Sequence, residues 1–204
     1  MPGVAATLTG HVVGVHDGDT VTVLDDNHEQ HKIRLAGIDA PELKQAFGTR
    51  SRKNLSDMAY DKDARLECHK TIRNERKLCK VWVQPSDCPT CGKTLDAGHA
   101  QIIAGLAWWY RAYAKEQSAE DQGRYESAED EARLRKWGLW RDAEPVAPWE
   151  WRKLRHEQST SAAFNDAGNC IVTTNRSHRH CGRWRSNERN GSGAPSLPYT
   201  GDFP

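Results

Sequence analysis

Between Gly14 and Glu42 the chain carries Asp17, Asp19, Asp39 and Glu42, with Arg34 among them. Asp17 and Asp19 are separated by one glycine, so on extended backbone their side chains point the same way. Carboxylates that approach one another need a cation between them. An all-oxygen donor set suits Ca²⁺ or Mg²⁺ rather than zinc. The planar fork of Arg34 can hold a phosphate by two parallel bonds and offset the charge that builds up during phosphoryl transfer. Glu42 can orient or deprotonate a water. Each group also has a plainer use. Asp17-Gly18-Asp19 makes an ordinary turn, Asp39 can cap a helix before Pro41, Arg34 can pair with one of the acids, and Glu42 can favour a helix start. Spacing alone leaves both sets of roles open.

The elements that must position these groups are two strands and their turns. Gly10–His16 reads as a strand rich in valine, and Asp17-Gly18-Asp19 as a tight turn in which Gly18 is free to take a positive φ. Thr20–Leu24 alternates apolar and polar residues, and His31–Ala36 returns after a polar loop with Ile33 and Leu35 on one face and Lys32 and Arg34 on the other. Pro41-Glu42-Leu43 reads as the start of a helix reaching Tyr60. Leu43, Phe47, Leu55, Met58 and Ala59 form its stripe, and Arg50, Arg52 and Lys53 lie off it. Ala64–His69 and Lys77–Val83 read as a second strand pair around a basic loop. His99–Trp109 is expected to be a short helix with Ile102, Ile103 and Leu106 inward. Ser118–Trp137 is a longer one, capped by Ser118 with Asp121 and stopped at Gly138, with Tyr125, Ala128, Ala132 and Leu134 buried and Leu139-Trp140 beneath. Short connections between strands argue against a parallel sheet and for a small antiparallel barrel with helices packed on it, an α+β arrangement.

The 204 residues accommodate one domain and an appendage. With 29 basic and 28 acidic residues, nothing in the overall charge draws a polyanion, so nucleic-acid affinity needs a local patch. No run of apolar residues is long enough for a membrane span. MPGVAATLTG has neither a basic n-region nor a long apolar h-region; the expected compartment is secreted or periplasmic if a signal once preceded this chain, and cytoplasmic otherwise. Residues 1–155 are expected to form the domain. Residues 156–204, polar and without periodicity, read as a disordered tail with the basic run RSHRHCGRWRSNER.

The stretches VHDGDTVTV, IRLAGIDAPE and GLAWWY, in this order and spacing, resemble the thermonuclease, or staphylococcal-nuclease-like, family over about Leu8 to Trp140. That resemblance implies a five-stranded antiparallel OB-type β-barrel with three helices, acting as a Ca²⁺-dependent nuclease on DNA and RNA. It implies that Asp19 and Asp39 ligate Ca²⁺ with help from the backbone carbonyl of Ala40, and that Asp17 supports them. Arg34 would bind the scissile phosphate and Glu42 would act on the attacking water. The family's second arginine stands in a Tyr-Gly-Arg turn, matched here by Asn74-Glu75-Arg76. The tyrosine and glycine are replaced, and Glu75 competes for the arginine, so Arg73 is the alternative to Arg76 as the second phosphate contact.

Cys88-Pro89-Thr90-Cys91 supplies half of a zinc site without an evident second half, so structural Zn²⁺ at Cys88 and Cys91 is the lesser reading beside a free or disulfide-linked pair. Cys68 and Cys79 face each other across their hairpin, as a disulfide or as small core residues. Trp108, Trp109, Tyr110 and Tyr113 offer a stacking surface for bases, Tyr110 foremost, although aromatics at this spacing more often serve the core. The sequence reads as a metal-dependent nuclease working as a monomer on DNA or RNA. The competing class is a non-catalytic module that binds single-stranded nucleic acid on an OB-type barrel. A Ca²⁺-binding interaction domain would leave Arg34 and Glu42 without a task.

Overall fold

The computed structural model describes residues 6–71 and 76–168. The chain divides into two compact units, Met1–Gln158 and Ser159–Pro204, and the barrel lies in the first. In chain order the elements are β1 (Ala6–Val15), β2 (Thr20–Asp25), β3 (Gln30–Leu35), β4 (Ile38–Asp39), α1 (Gly48–Ala59), β5 (Asp63–Thr71) and β6 (Lys77–Val83). They continue with β7 (Leu95–Asp96), α2 (Ala97–Ile103), β8 (Trp108–Trp109), α3 (Ala119–Leu134) and α4 (Pro148–Gly168).

Five strands close the barrel. β1 pairs antiparallel with β2 and with β5, β2 with β3, and β5 with β6. Closure comes from β3 running parallel to β6, with Arg34 opposite Leu78. The expected OB-type barrel is therefore mixed, with one parallel seam among antiparallel pairs. Alternation along the strands sends Val12, Val21, Val23, Ile33, Leu35, Leu66, Val81 and Val83 inward, all essentially without solvent contact. Each such side chain stabilises the fold by about 1.5–3 kcal/mol. Leu55 and Ala59 of α1, Ala97 and Ile102 of α2, and Tyr125 and Ala128 of α3 join the same core. Leu139 and Trp140 pack with Ala132 in a second cluster, as expected.

Several expected elements change at their ends. The helix expected from Pro41 begins only at Gly48. Glu42 and Gln45 bond each other instead, Gln45 N–H to the Glu42 carbonyl at 2.8 Å and Glu42 N–H to Gln45 Oε1 at 3.2 Å, and Phe47 turns the chain at φ 65°. Glu42 therefore lies in a turn and Leu43 is 46% exposed. The helix expected through Trp109 stops at Ile103, because Gly105 takes φ 65° against the Trp137 carbonyl, where a side chain would collide. The released Trp108-Trp109 pair forms β8 against β4. α3 is capped as expected, Ser118 Oγ accepting from Asp121 N–H at 3.1 Å, but it ends at Leu134, which is 84% exposed. Gly18 does not adopt a positive φ. Its lack of a side chain instead admits Ser51 Oγ, which a Cβ would meet at 1.8 Å.

Cys68 and Cys79 form a disulfide across β5 and β6. Cys88 and Cys91 are likewise joined, which removes the two thiolates a zinc ion would need and overturns the zinc reading there. Helix α4 continues to Gly168, so residues 156–168, expected without regular structure, are helical. Arg73, Cys170, Cys181 and the run RSHRHCGRWRSNER lie outside the described residues. Among the described residues no helix is long and apolar enough to cross a membrane.

Candidate active site

The register of β2 and β3 places Thr20 opposite Arg34, so Asp19, just before β2, stands beside the arginine. The Leu35 N–H donates to the Asp19 carbonyl at 2.8 Å and ties the turn to β3. Asp17 folds back to accept the Asp19 N–H on its Oδ1 at 3.0 Å, a bond that shapes the turn. From α2, Gln101 Nε2 donates to the Gly18 carbonyl at 2.7 Å and to that of Ser51 at 2.9 Å. On the other side Asp39 lies in β4, opposite Trp108 of β8. Two short strands thus hold one carboxylate, and a clamped turn holds the other.

Arg34 joins them. Its Nη1 donates to Asp19 Oδ1 at 2.5 Å and its Nη2 to Asp39 Oδ1 at 2.6 Å. Asp19 also accepts from Thr20 Oγ1 at 3.0 Å and from the Ala40 N–H at 2.8 Å. Both aspartates are buried. Burial pushes the Asp19 carboxyl up to about 7, with Asp17 and Asp39 adding to the rise and Arg34 and the Ala40 N–H opposing it. The same aspartates hold the Arg34 guanidinium charged despite its own burial.

A second guanidinium enters from α4. Arg152 Nη2 donates to Asp39 Oδ2 at 2.6 Å, and its Nη1 to Glu42 Oε1 at 2.9 Å and to Asp39 Oδ1 at 3.2 Å. This residue lies within the expected domain of residues 1–155, but no motif in the sequence singles it out. The available signal was Pro148, a favoured first helical residue, followed by Trp149 and Trp151 in an otherwise polar stretch. Trp149 does anchor the helix, its ring 5.6 Å from that of Trp108 and 5.4 Å from that of Tyr110.

Arg34, Glu42, Arg76, Lys80, Tyr110 and Arg152 line one cleft of about 870 Å³. Arg76 stands just before β6, where the sequence put it, and lines this cleft. Tyr110 is fixed by its N–H to the Gly37 carbonyl at 2.9 Å and by ring contact with Tyr113 at 5.1 Å. Trp109 faces the interior, its Nε1 bonded to Gln117 Oε1 at 2.8 Å, and Trp108 packs edge-on to Trp140 at 4.4 Å. Two of the four aromatics are therefore packing residues, and Tyr110 and Tyr113 remain on the cleft wall.

Comparison with known proteins fits this geometry. The family model described as staphylococcal nuclease homologue matches residues 32–142. The chain belongs to the staphylococcal nuclease family. Membership makes it a nuclease, a hydrolase of phosphodiester bonds. A micrococcal nuclease of Shigella flexneri is 38% identical over 149 residues, covering 72% of this chain and 82% of that protein. An uncharacterized endonuclease of Haemophilus influenzae is 36% identical over 157 residues, 77% of this chain and 78% of its own. The family segment includes Arg34, Asp39, Glu42 and Arg76, while Asp17, Asp19 and Arg152 fall on either side of it.

Asp19 and Asp39 are buried oxygen donors of the kind Ca²⁺ takes, and their oxygens are held here by Arg34, Arg152, Thr20 Oγ1 and the Ala40 N–H. Among the described residues a different trio, Asp25, Glu29 and His31, has its donor atoms within 4.8 Å of one another. Asp25 there accepts the N–H groups of Asn27 and Glu29 and the ring of His31, which accounts for the cluster as the lock of the β2–β3 loop.

Proposed function

We propose that this nuclease cuts DNA or RNA with Ca²⁺ held by Asp19, Asp39 and the Ala40 carbonyl. The observation that carries the reading is the bridge of Arg34 across two buried aspartates beside a cleft that Arg34 lines together with Glu42 and Arg76. When bound, Ca²⁺ supplies a positive centre for the phosphate oxygens in a site of low dielectric. Arg34, held between Asp19 and Asp39, turns its remaining N–H groups to the scissile phosphate and stabilises the charge that grows on it. Glu42, at the cleft edge and outside any helix, accepts the proton of the attacking water. Arg76, on the same cleft, gives a second guanidinium to the phosphate, with Arg73 as the alternative donor, and Tyr110 presents a ring on which a base stacks. Asp17 keeps the turn that presents Asp19. Residues 1–155 carry the activity, and the protein works as a monomer, a point size-exclusion chromatography checks directly.

The test is hydrolysis of single-stranded DNA with Ca²⁺, with Mg²⁺ and with chelator, for wild type beside Arg34→Ala and Glu42→Ala. Cleavage in Ca²⁺ is expected to vanish with chelator. Each substitution is expected to lower kcat by about 10²–10⁴-fold. A wild-type protein that binds DNA but cuts nothing with any metal would turn the site into a binding surface. An Arg76→Ala variant with unchanged turnover would move the second phosphate contact to Arg73.

A further inference from the structure

The contacts of Arg152 compete with the use to which Asp39 and Glu42 are put. Asp39 has both oxygens engaged by guanidinium groups, Oδ1 by Arg34 and Arg152 and Oδ2 by Arg152 alone. A Ca²⁺ ion binds carboxylate oxygen at about 2.3–2.6 Å. The Arg152 nitrogen lies 2.6 Å from the same Oδ2, so the ion and the guanidinium would crowd one atom with like charge. One of the two arginines must yield. Arg34 is held between two buried aspartates with its side chain 19% exposed, whereas that of Arg152 is 42% exposed at the end of a long stem. Arg152 is the one free to swing. The helix beneath it stays put, because Trp149 packs on Trp108 and Tyr110 and Gln45 Nε2 donates to the Val146 carbonyl at 2.6 Å.

We infer that Arg152 is a metal-gated site arginine, bound to Asp39 and Glu42 until a divalent cation takes Asp39 and then turned to a phosphate of the nucleic-acid strand. The inference rests on the Ca²⁺ reading of Asp19 and Asp39. Released from Asp39, the fork stays on the cleft wall shared with Arg34 and Arg76, where phosphate is the anion that matches its geometry. Release also leaves Glu42 unpaired from Arg152 and available to water. Linkage makes the effect reciprocal: metal readies the arginine for substrate, and substrate draws the arginine off the metal's ligand. Arg152 thereby gives the family's site a third arginine from beyond the matched segment.

The test is a calorimetric Ca²⁺ titration of the full chain without nucleic acid, wild type beside Arg152→Ala and Arg152→Lys. Each is paired with steady-state cleavage of single-stranded DNA at saturating Ca²⁺. Removing the competitor is expected to tighten Ca²⁺ binding about tenfold in Arg152→Ala, a change of about 1.4 kcal/mol in binding free energy. KM for DNA is expected to rise about tenfold, as lost charge-assisted phosphate bonds require. Arg152→Lys, which keeps the charge without the fork, falls between on both scales, and it carries the test if Arg152→Ala does not fold. Ca²⁺ affinity equal to or weaker than wild type overturns the inference, because a residue that merely orients the carboxylates would give that result. An unchanged KM overturns it too. If wild type binds Ca²⁺ and cuts DNA while the variants' Ca²⁺ affinity stays put, only Arg152 is misassigned. If wild type does neither, the reading of the site falls with it.

Discussion

Asp39 carries more opposing demands than any other residue of the site. It is buried, it faces two guanidinium groups, and in the proposed mechanism it must also hold Ca²⁺. Replacing one oxygen with an amide keeps the shape and removes the charge. Asp39→Asn is therefore expected to abolish the heat of Ca²⁺ binding while the protein still folds, and Asp19→Asn to do the same. A Ca²⁺ titration with full binding heat in either variant would move the metal elsewhere, with the Asp25, Glu29 and His31 trio as the first place to look. The proximity of these two aspartates, Arg34 and Glu42 was legible in sequence because all lie on one hairpin and its exit, while their separate roles came from the family resemblance. Arg152 was not. A lone arginine in a helix has no local pattern, and its role arises only when the fold brings it next to a residue 113 positions earlier.

At the scale of elements, the short strand β8 decides where Asp39 stands, and α3 decides where β8 stands. Glu129 on α3 is fully buried, accepting the Trp109 N–H at 3.0 Å and an Arg111 bond at 2.6 Å. Its truncation leaves the buried Trp109 N–H without a partner and takes a carboxylate from Arg111 and Arg133, both partly exposed. Glu129→Ala is expected to cost about 1–3 kcal/mol in a urea melt and to reduce activity as β4 loosens. A loss under about 1 kcal/mol would show that β8 stands without α3. The edge of β1 offers a pH signature. His11 presents both ring nitrogens to carboxylates, Asp63 and Asp61, each at 3.0 Å, an arrangement only imidazolium can donate to twice. Those bonds raise its pKa above 6.5. The folded state therefore holds the proton more tightly than the unfolded chain does. The stabilisation is present below pH 6.5 and fades as pH rises through the raised folded value. His11→Gln is expected to melt below wild type at pH 5.5 and level with it at pH 8.5; equal melting at both would remove the bridge from the account.

For the whole molecule, closure of the barrel depends on β6, and β6 is stapled to β5 by Cys68–Cys79. A loop of 11 residues closed in this way stabilises the fold by about 2–3 kcal/mol in the chain-entropy description. Reduction is expected to lower the melting temperature by several degrees, as is Cys68→Ala with Cys79→Ala; an unmoved transition would mean that packing alone holds the seam. The sequence by itself determined the barrel, because period-two alternation and tight turns depend on neighbours within a few residues. It also determined Asp19, Arg34, Asp39 and Glu42 as a group, because all sit on one hairpin and its exit. Only the tertiary structure decided that β3 and β6 run parallel, that Glu42 leaves the helix, that Trp108-Trp109 becomes a strand, and that α4 lends Arg152. Each of these follows from contacts between residues far apart in the chain, whose energies local pattern does not carry.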